Sequence, residues 1–331
     1  MNKIQILTKH LKKNLMWYAI LSIVVGWCAG MLFPQFVVNN KSILSILITI
    51  FVFMMIYPMM INLNLGKIPG VLKKPKPIIM TVVYNFIITP LISLLLVKNF
   101  IHDPEIALGF MLVMLIPGSS MSLGYTGLVE GGLEIATVAM GFLFLLIPVL
   151  LPFFLHILGK TYNVAIPLGL LLKTVILVLI VPMFAGDLTR RSIIKTKGQD
   201  GYKKVKPLFS LTTMTTMLLM VALIFMIKAP VLFKQWSVVL KLALVTLLYL
   251  IIMFPLMTIT NKLLKISYKE HMAIAFLSTG KNNGTAIAIA MLAFSPMVAI
   301  PAAILPLFQI IFSIGYVQLY KKIKKYFGEK E

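Results

Sequence analysis

Residues 270–292 read EHMAIAFLSTGKNNGTAIAIAML. Two small, apolar halves flank a polar octet: Ser278, Thr279, Gly280, Lys281, Asn282, Asn283, Gly284 and Thr285. A lysine near the centre of a bilayer costs about 2.5 to 3.5 kcal/mol on insertion scales, and the neighbouring asparagines add to that burden. The octet is therefore expected to unwind, and Lys281 is the strongest single pointer to function in the chain. A second stretch behaves alike. Residues 105–132, EIALGFMLVMLIPGSSMSLGYTGLVEGG, carry Pro117, Gly118, Ser119 and Ser120 at their middle. Proline removes one backbone donor and glycine adds conformational freedom beside two hydroxyls, so this helix is expected to break too.

The rest of the chain explains why these breaks lie in a membrane. Of 331 residues, 60% are hydrophobic and only 12% charged, against about a quarter charged in a soluble domain. Mean hydropathy is +0.99. A soluble globular fold is excluded. Apolar runs with at most one charged residue each, roughly 20 residues and so long enough to cross a bilayer, are expected at 15–33, 43–64, 77–97, 106–129, 132–158, 164–186, 208–227, 237–258, 271–294 and 297–320. Lys and Arg number 31 against 9 acids, a net charge of +22. With both termini cytoplasmic, 23 of these cations fall on the cytoplasmic side, as the positive-inside rule requires. The charge thus reports orientation in the cell membrane and not a nucleic-acid partner. The basic start, Lys3 to Lys13, leads into a first span without a small-residue cleavage site, so that span is expected to stay in place. The stretch 187–207 reads as a cytoplasmic linker, and Asp103, Asp187 and Asp200 as loop residues.

Tyr84–Ile92 (YNFIITPLI) and Tyr249–Met257 (YLIIMFPLM) agree at Tyr, one Ile, Pro and Leu with an offset of 165, and the same offset pairs Glu105 with Glu270. Five spans per copy is an odd number, so the second copy enters from the opposite face: an inverted repeat of 15–158 and 164–320 within one transporter domain, residues 1–331. Backbone groups freed at membrane depth need protein or cavity water, so breaks at matching positions of the two halves point to one shared midplane site. Half-helix N-termini there attract anions, and exposed carbonyls and hydroxyls suit a cation. Lys173, deep in the sixth span, stands alone in an apolar helix and has a stem long enough to snorkel.

These residues resemble the bile acid:sodium symporter family and the related arsenite-efflux permeases over nearly the whole chain. The resemblance rests on YNFIITPL, the Asp103-Pro104-Glu105 lead into span 4, the Glu130-Gly131-Gly132 turn and, best of all, GKNNGTAIAIA in span 9. It implies an all-α integral membrane protein of ten transmembrane helices in two inverted five-helix repeats, with discontinuous helices 4 and 9 crossing. Spans 3–5 and 8–10 would form a core and spans 1, 2, 6 and 7 a panel, with alternating access between them. The ion region implied on this chain uses Ser119, Ser120 and Thr137 with Ser278, Asn282 and Asn283. Two departures stand out. Ser278 occupies the position of the sodium-coupled branch's glutamate, and Gly118 that of the arsenite branch's cysteine.

The substrate- or ion-binding set is then Pro117, Gly118, Ser119, Ser120, Thr137, Ser278, Thr279, Gly280, Lys281, Asn282, Asn283 and Thr285, with no metal and no cofactor. The expected function is secondary active transport of a small anionic or oxyanion-type solute, proton- rather than sodium-coupled, with Lys281 standing in for a bound sodium. Arsenite efflux without cysteine chemistry is one alternative, and a channel or sensor on the same fold is another. An enzyme is not expected, because a buried nucleophile with its base, or paired carboxylates, is missing from the spans: the aspartates read as loop residues, and His10, His102, His156 and His271 sit at or outside span ends. Partners are the solute and the lipid bilayer.

Overall fold

The computed structural model describes residues 3–63, 66, 75–162, 168–234 and 236–329. Among them the chain is helical, with no strand. In order the helices are α1 (Lys3–Lys13), α2 (Leu15–Leu32), α3 (Pro34–Asn39), α4 (Lys41–Ile61), α5 (Pro75–Val83), α6 (Thr89–Phe100), α7 (Pro104–Leu115) and α8 (Ser120–Leu128). There follow α9 (Leu133–Tyr162), α10 (Leu168–Val175), α11 (Val181–Lys234), α12 (Trp236–Leu263), α13 (Tyr268–Thr279), α14 (Asn283–Ala293), α15 (Pro296–Gln318) and α16 (Tyr320–Tyr326). Single π-helical turns, Tyr84–Ile88 and Ile176–Ile180, join α5 to α6 and α10 to α11.

Seven helical runs among the described residues are long and apolar enough to cross a membrane: Leu15–Leu32, Ser42–Ile61, Pro75–Phe100, Leu133–Leu158, Leu168–Pro230, Trp236–Leu263 and Pro296–Gln318. The difference from ten spans has two sources. The expected sixth and seventh spans run together in Leu168–Pro230, and the expected fourth and ninth are each divided into two short helices.

The stretch 187–207 is not the linker that its charge suggests. It is helical apart from Gly198, whose φ of 68° and ψ of 177° interrupt the run. Asp187 lies in this helix and accepts from Arg190 at 2.7 Å and Arg191 at 2.6 Å, one turn on, while Asp200 accepts from Lys203 at 2.9 Å. Such pairs at three- and four-residue spacing support helix despite the segment's polarity. Asp187 and Asp200 are therefore helical, and Asp187 is buried. Lys173 is exposed, in keeping with a snorkelling stem.

The chain divides into two compact units. The first comprises Met1–Asn64, Ile166–Val239 and Gly284–Ala303. In it α2 and α4 pack along α11. The Thr8 hydroxyl donates to the Pro207 carbonyl at 3.1 Å, Thr213 to Met55 at 3.1 Å, and the Tyr202 hydroxyl to the Ile61 carbonyl at 3.1 Å. The α2–α11 approach is so close that a Cβ on Gly26 would collide with the Ala222 carbonyl. Small residues at such contacts let two backbones meet where apolar burial alone gives no driving force between helices.

The second unit comprises Leu65–Ala165, Leu240–Asn283 and Ile304–Glu331. Two helix starts fix its geometry. Asp103 caps α7 by accepting from the Ile106 N–H at 3.0 Å, with Pro104 in the first turn. Ser267 and Glu270 cap α13 reciprocally in a capping box. At the other end of α8, Glu130 takes a left-handed φ of 58° and Gly131 donates to the Thr126 carbonyl at 2.8 Å. Lys324 pairs with Glu130 at 2.9 Å, which holds that exposed carboxyl below its ordinary range and raises the lysine.

Gly26→Val is expected to lower the melting temperature of the purified protein, by overpacking worth about 1 to 3 kcal/mol. Gly124→Ala, whose Cβ would meet nothing within 4 Å, should leave it unchanged. Thermal unfolding in detergent reads both.

Candidate functional site

Both expected breaks are present. The first follows from Pro117: the residue before a proline is pushed out of the helical region, and Ile116 adopts φ −91° and ψ 119°. Ser119 then restarts the helix as N-cap of α8, its Oγ accepting from the Met121 N–H at 3.3 Å. The second break starts at Gly280, with φ −82° and ψ 77°, and α14 begins at Asn283.

The two breaks meet. Gly118 and Lys281 form an isolated antiparallel bridge, the one β-type contact among the described residues. The Gly118 N–H donates to the Leu277 carbonyl at 3.0 Å and the Asn282 N–H to the Pro117 carbonyl at 3.1 Å. A Cβ on Gly118 would stand 2.6 Å from Ser122 Oγ and 2.9 Å from both the Gly280 carbonyl oxygen and Leu277 Cα. Glycine is the residue that permits this approach.

Every carbonyl from 277 to 281 is satisfied within the protein. Leu277 accepts from Gly118, Ser278 from the Tyr249 hydroxyl at 3.2 Å, Thr279 from the Lys281 N–H at 3.1 Å, and Gly280 from Ser122 Oγ at 3.1 Å. The Lys281 carbonyl accepts from Asn283 Nδ2 at 3.2 Å and Gln309 Nε2 at 3.3 Å. Asn283 Nδ2 also donates to Gln309 Oε1 at 3.1 Å, while the buried Asn283 Oδ1 has no partner among the described residues. This accounting is what a segment without bulk water demands.

Lys281 is 1% exposed. Its Nζ donates to Asn85 Oδ1 at 2.9 Å, and no carboxylate pairs with it among the described residues. Asn85 is oriented in turn: its Nδ2 donates to the Thr81 carbonyl at 2.9 Å and to Ser278 Oγ at 3.1 Å. It sits in the π turn Tyr84–Ile88, closed by the Thr89 N–H on the Tyr84 carbonyl. Pro90 follows directly, and its ring and missing N–H disturb the regular bond to the carbonyl four residues back, which accounts for the widened turn. Thr81, Asn85, Thr89 and Ser93 recur every four residues and all are buried. Thr89 Oγ1 meets the Tyr249 hydroxyl at 3.1 Å, and Ser93 Oγ has no partner among the described residues.

Of the expected site residues, Pro117, Gly118, Ser278, Thr279, Gly280, Lys281, Asn282 and Asn283 come together at the bridge, with Ser119 capping α8 beside it. Thr279 Oγ1 bonds within its own helix, to the Ala275 carbonyl at 2.8 Å. The Ser120 side chain lies outside the described residues. Thr137 is half-buried on α9 and donates to the Leu133 carbonyl at 2.7 Å, so no described hydrogen bond links it to the breaks. Thr285 is buried in α14. Asn85 and Tyr249 lie in the stretches quoted for the resemblance and the repeat but were not assigned to the site from the sequence, and Thr89, Ser122 and Gln309 were not assigned to it either. The fourfold spacing of small polar residues from Thr81 to Ser93 is the signal that would have found Asn85 and Thr89. His271, expected at a span edge, is wholly buried, with Nε2 at 2.7 Å from the Tyr316 hydroxyl and Nδ1 at 3.0 Å from Asn261 Nδ2.

These helices define a multi-pass membrane protein. Residues 49–235, more than half of the chain, match the Sodium Bile acid symporter family, and the chain belongs to that family. Among its relatives, an uncharacterized transporter of Synechocystis sp. is 26% identical over 314 residues, covering 86% of this chain and 80% of that protein. The arsenical-resistance protein Acr3 of Alkaliphilus metalliredigens is 28% identical over 231 residues, 64% of each chain. An uncharacterized sodium-dependent transporter of Bacillus subtilis is 26% identical over 261 residues, 79% of this chain and 78% of that one. The family and these relatives are transporters, so the chain is a membrane transporter and not an enzyme.

Asn85→Leu leaves the Lys281 ammonium without its acceptor and is expected to destabilise the protein by about 2 to 4 kcal/mol. Combining it with Lys281→Met should restore most of that loss, since removing both partners leaves no buried group unpaired. Thermal unfolding of the single and double variants is the measurement.

Proposed function

We propose that this protein is a secondary active transporter that moves a small anionic or oxyanion-type solute across the cell membrane by alternating access, coupled to protons and not to sodium. The observation that carries the reading is the paired breaks holding Lys281 on the neutral Asn85. A fixed or exchangeable ammonium at this point supplies the positive charge that a bound sodium would otherwise bring. The second half-helices, α8 and α14, both start at the paired breaks, so their N-terminal dipole ends add positive potential where an anion would sit. Ser278 in place of a carboxylate supports the departure from sodium coupling.

In this reading the chain has ten spans in two inverted repeats, with helices 4 and 9 crossing at the bridge and both termini cytoplasmic. The 12-residue α7 and 12-residue α13, each capped at its start and each followed by a break and a second short helix, support the repeat. A panel of spans 1, 2, 6 and 7 and a core of spans 3–5 and 8–10 belong to this reading and rest on the family resemblance. The substrate- or ion-binding residues are Pro117, Gly118, Ser119, Ser120, Thr137, Ser278, Thr279, Gly280, Lys281, Asn282, Asn283 and Thr285, to which Asn85 is added. Arsenite efflux is a second reading, favoured by the arsenical-resistance relatives. It would proceed through hydroxyl contacts, because Gly118 leaves no room for a thiol and Cys28 is exposed on α2.

Transport in vesicles under imposed gradients tests the coupling. Lys281→Ala and Lys281→Gln are expected to abolish proton dependence, and unchanged proton dependence in both would contradict the assignment. Labelled-substrate counterflow with saturation is expected of a carrier, whereas flux showing neither would mark a pore.

A further inference from the structure

A groove of 820 Å³ runs along the surface of the second unit, between α12 and the end of α15 with α16. Its walls are Leu250, Phe254 and Ile259 on one side and Ile311, Gly315 and Leu319 on the other, with Tyr326 at one end. The two hydroxyls in its floor are already spent: Thr258 Oγ1 and the Tyr316 hydroxyl meet at 2.7 Å, and Tyr316 also engages His271. Gln318, also in the lining, is exposed beside Leu319 at the cationic end, so an apolar occupant lying deeper strands neither hydroxyl. Ile259, Ile311 and Leu319 are about half exposed, and Ile259 and Ile311 belong to helices long and apolar enough to span.

The end of the groove is cationic. Lys262 stands one turn beyond Thr258, with Nζ 5.7 Å from the centroids of the Tyr326 and Phe327 rings. Lys322 is exposed, three residues after Leu319 and four before Tyr326, and so shares the face that lines the groove. From Leu250 to Lys262 a helix rises about 18 Å, close to the roughly 15 Å of one leaflet in a hydrocarbon core of about 30 Å. An apolar channel one leaflet deep, closed at the water end by two lysines and a tyrosine, has the outline of a single phospholipid.

We propose that this groove is a binding site for one anionic phospholipid, its acyl chain laid between α12 and α15 and its phosphate held by Lys262 and Lys322. The dry walls take the chain because a void there would forfeit dispersion contacts. The lysines select an anionic headgroup over a zwitterionic one by charge. This site is separate from the paired breaks and stands whether or not the proposed coupling does.

The full-length protein, reconstituted with equal phosphatidylglycerol and phosphatidylcholine and then released from detergent in native mass spectrometry, tests it. One retained phosphatidylglycerol is expected, with a preference over phosphatidylcholine of roughly tenfold or more. Gly315→Trp should abolish retention without unfolding the chain, because a Cβ at Gly315 meets open space. Lys262→Gln with Lys322→Gln should remove the preference while the groove stays open. Equal retention of the two lipids, or retention unchanged by Gly315→Trp, overturns the proposal. So does an intermolecular disulfide through Ile311→Cys in vesicles, which would assign the groove to a second copy of this chain.

Discussion

A backbone group released from a helix inside a bilayer has no water to turn to, and leaving it unpaired costs several kcal/mol. Two helices of this protein are interrupted, and the interruptions survive because each supplies what the other lacks. Pro117 offers a carbonyl that the Asn282 N–H takes, and Leu277 offers one that the Gly118 N–H takes. The carbonyls from 278 to 281 are met by Tyr249, the Lys281 N–H, Ser122, Asn283 and Gln309. Each break thus satisfies backbone groups of the other, which ties the pairing to the interruptions.

The same arrangement explains the placement of a buried lysine. Burying an ammonium is tolerated when hydrogen bonds replace its hydration, and the Asn85 amide replaces one of them from a π turn that Pro90 induces. A neutral partner leaves the positive charge uncompensated, whereas a carboxylate would cancel it. That distinction is what the proposed function rests on: a buried cation held by a neutral amide keeps its charge uncancelled at the paired breaks. The protein shares its family with arsenical-resistance and sodium-dependent relatives.

Much of this was legible in the sequence. Apolar runs located the long helices, and the polar interruptions of Pro117 to Ser120 and Ser278 to Thr285 located both breaks, because composition and proline act locally. The failures came where partners are distant. Nothing near Lys281 names Asn85, which is 196 residues away, and Gln309 and Tyr249 joined the site only through folding. The charged stretch 187–207 misled because its acids and bases read as solvated loop, although at three- and four-residue spacing they brace a helix. His271 misled in the opposite sense: at the second turn of a capped helix it is buried by residues from other segments, Tyr316 and Phe327.

The pairing itself can be observed directly. In solid-state NMR of the protein in bilayers, with glycine and lysine selectively labelled, an antiparallel bridge places the Gly118 and Lys281 Cα atoms about 4.5 to 5.5 Å apart. A strong through-space correlation between these two residues is the result this account requires. Both residues assigned, with no such correlation, would mean that the breaks do not meet, and the site built upon them would have to be abandoned.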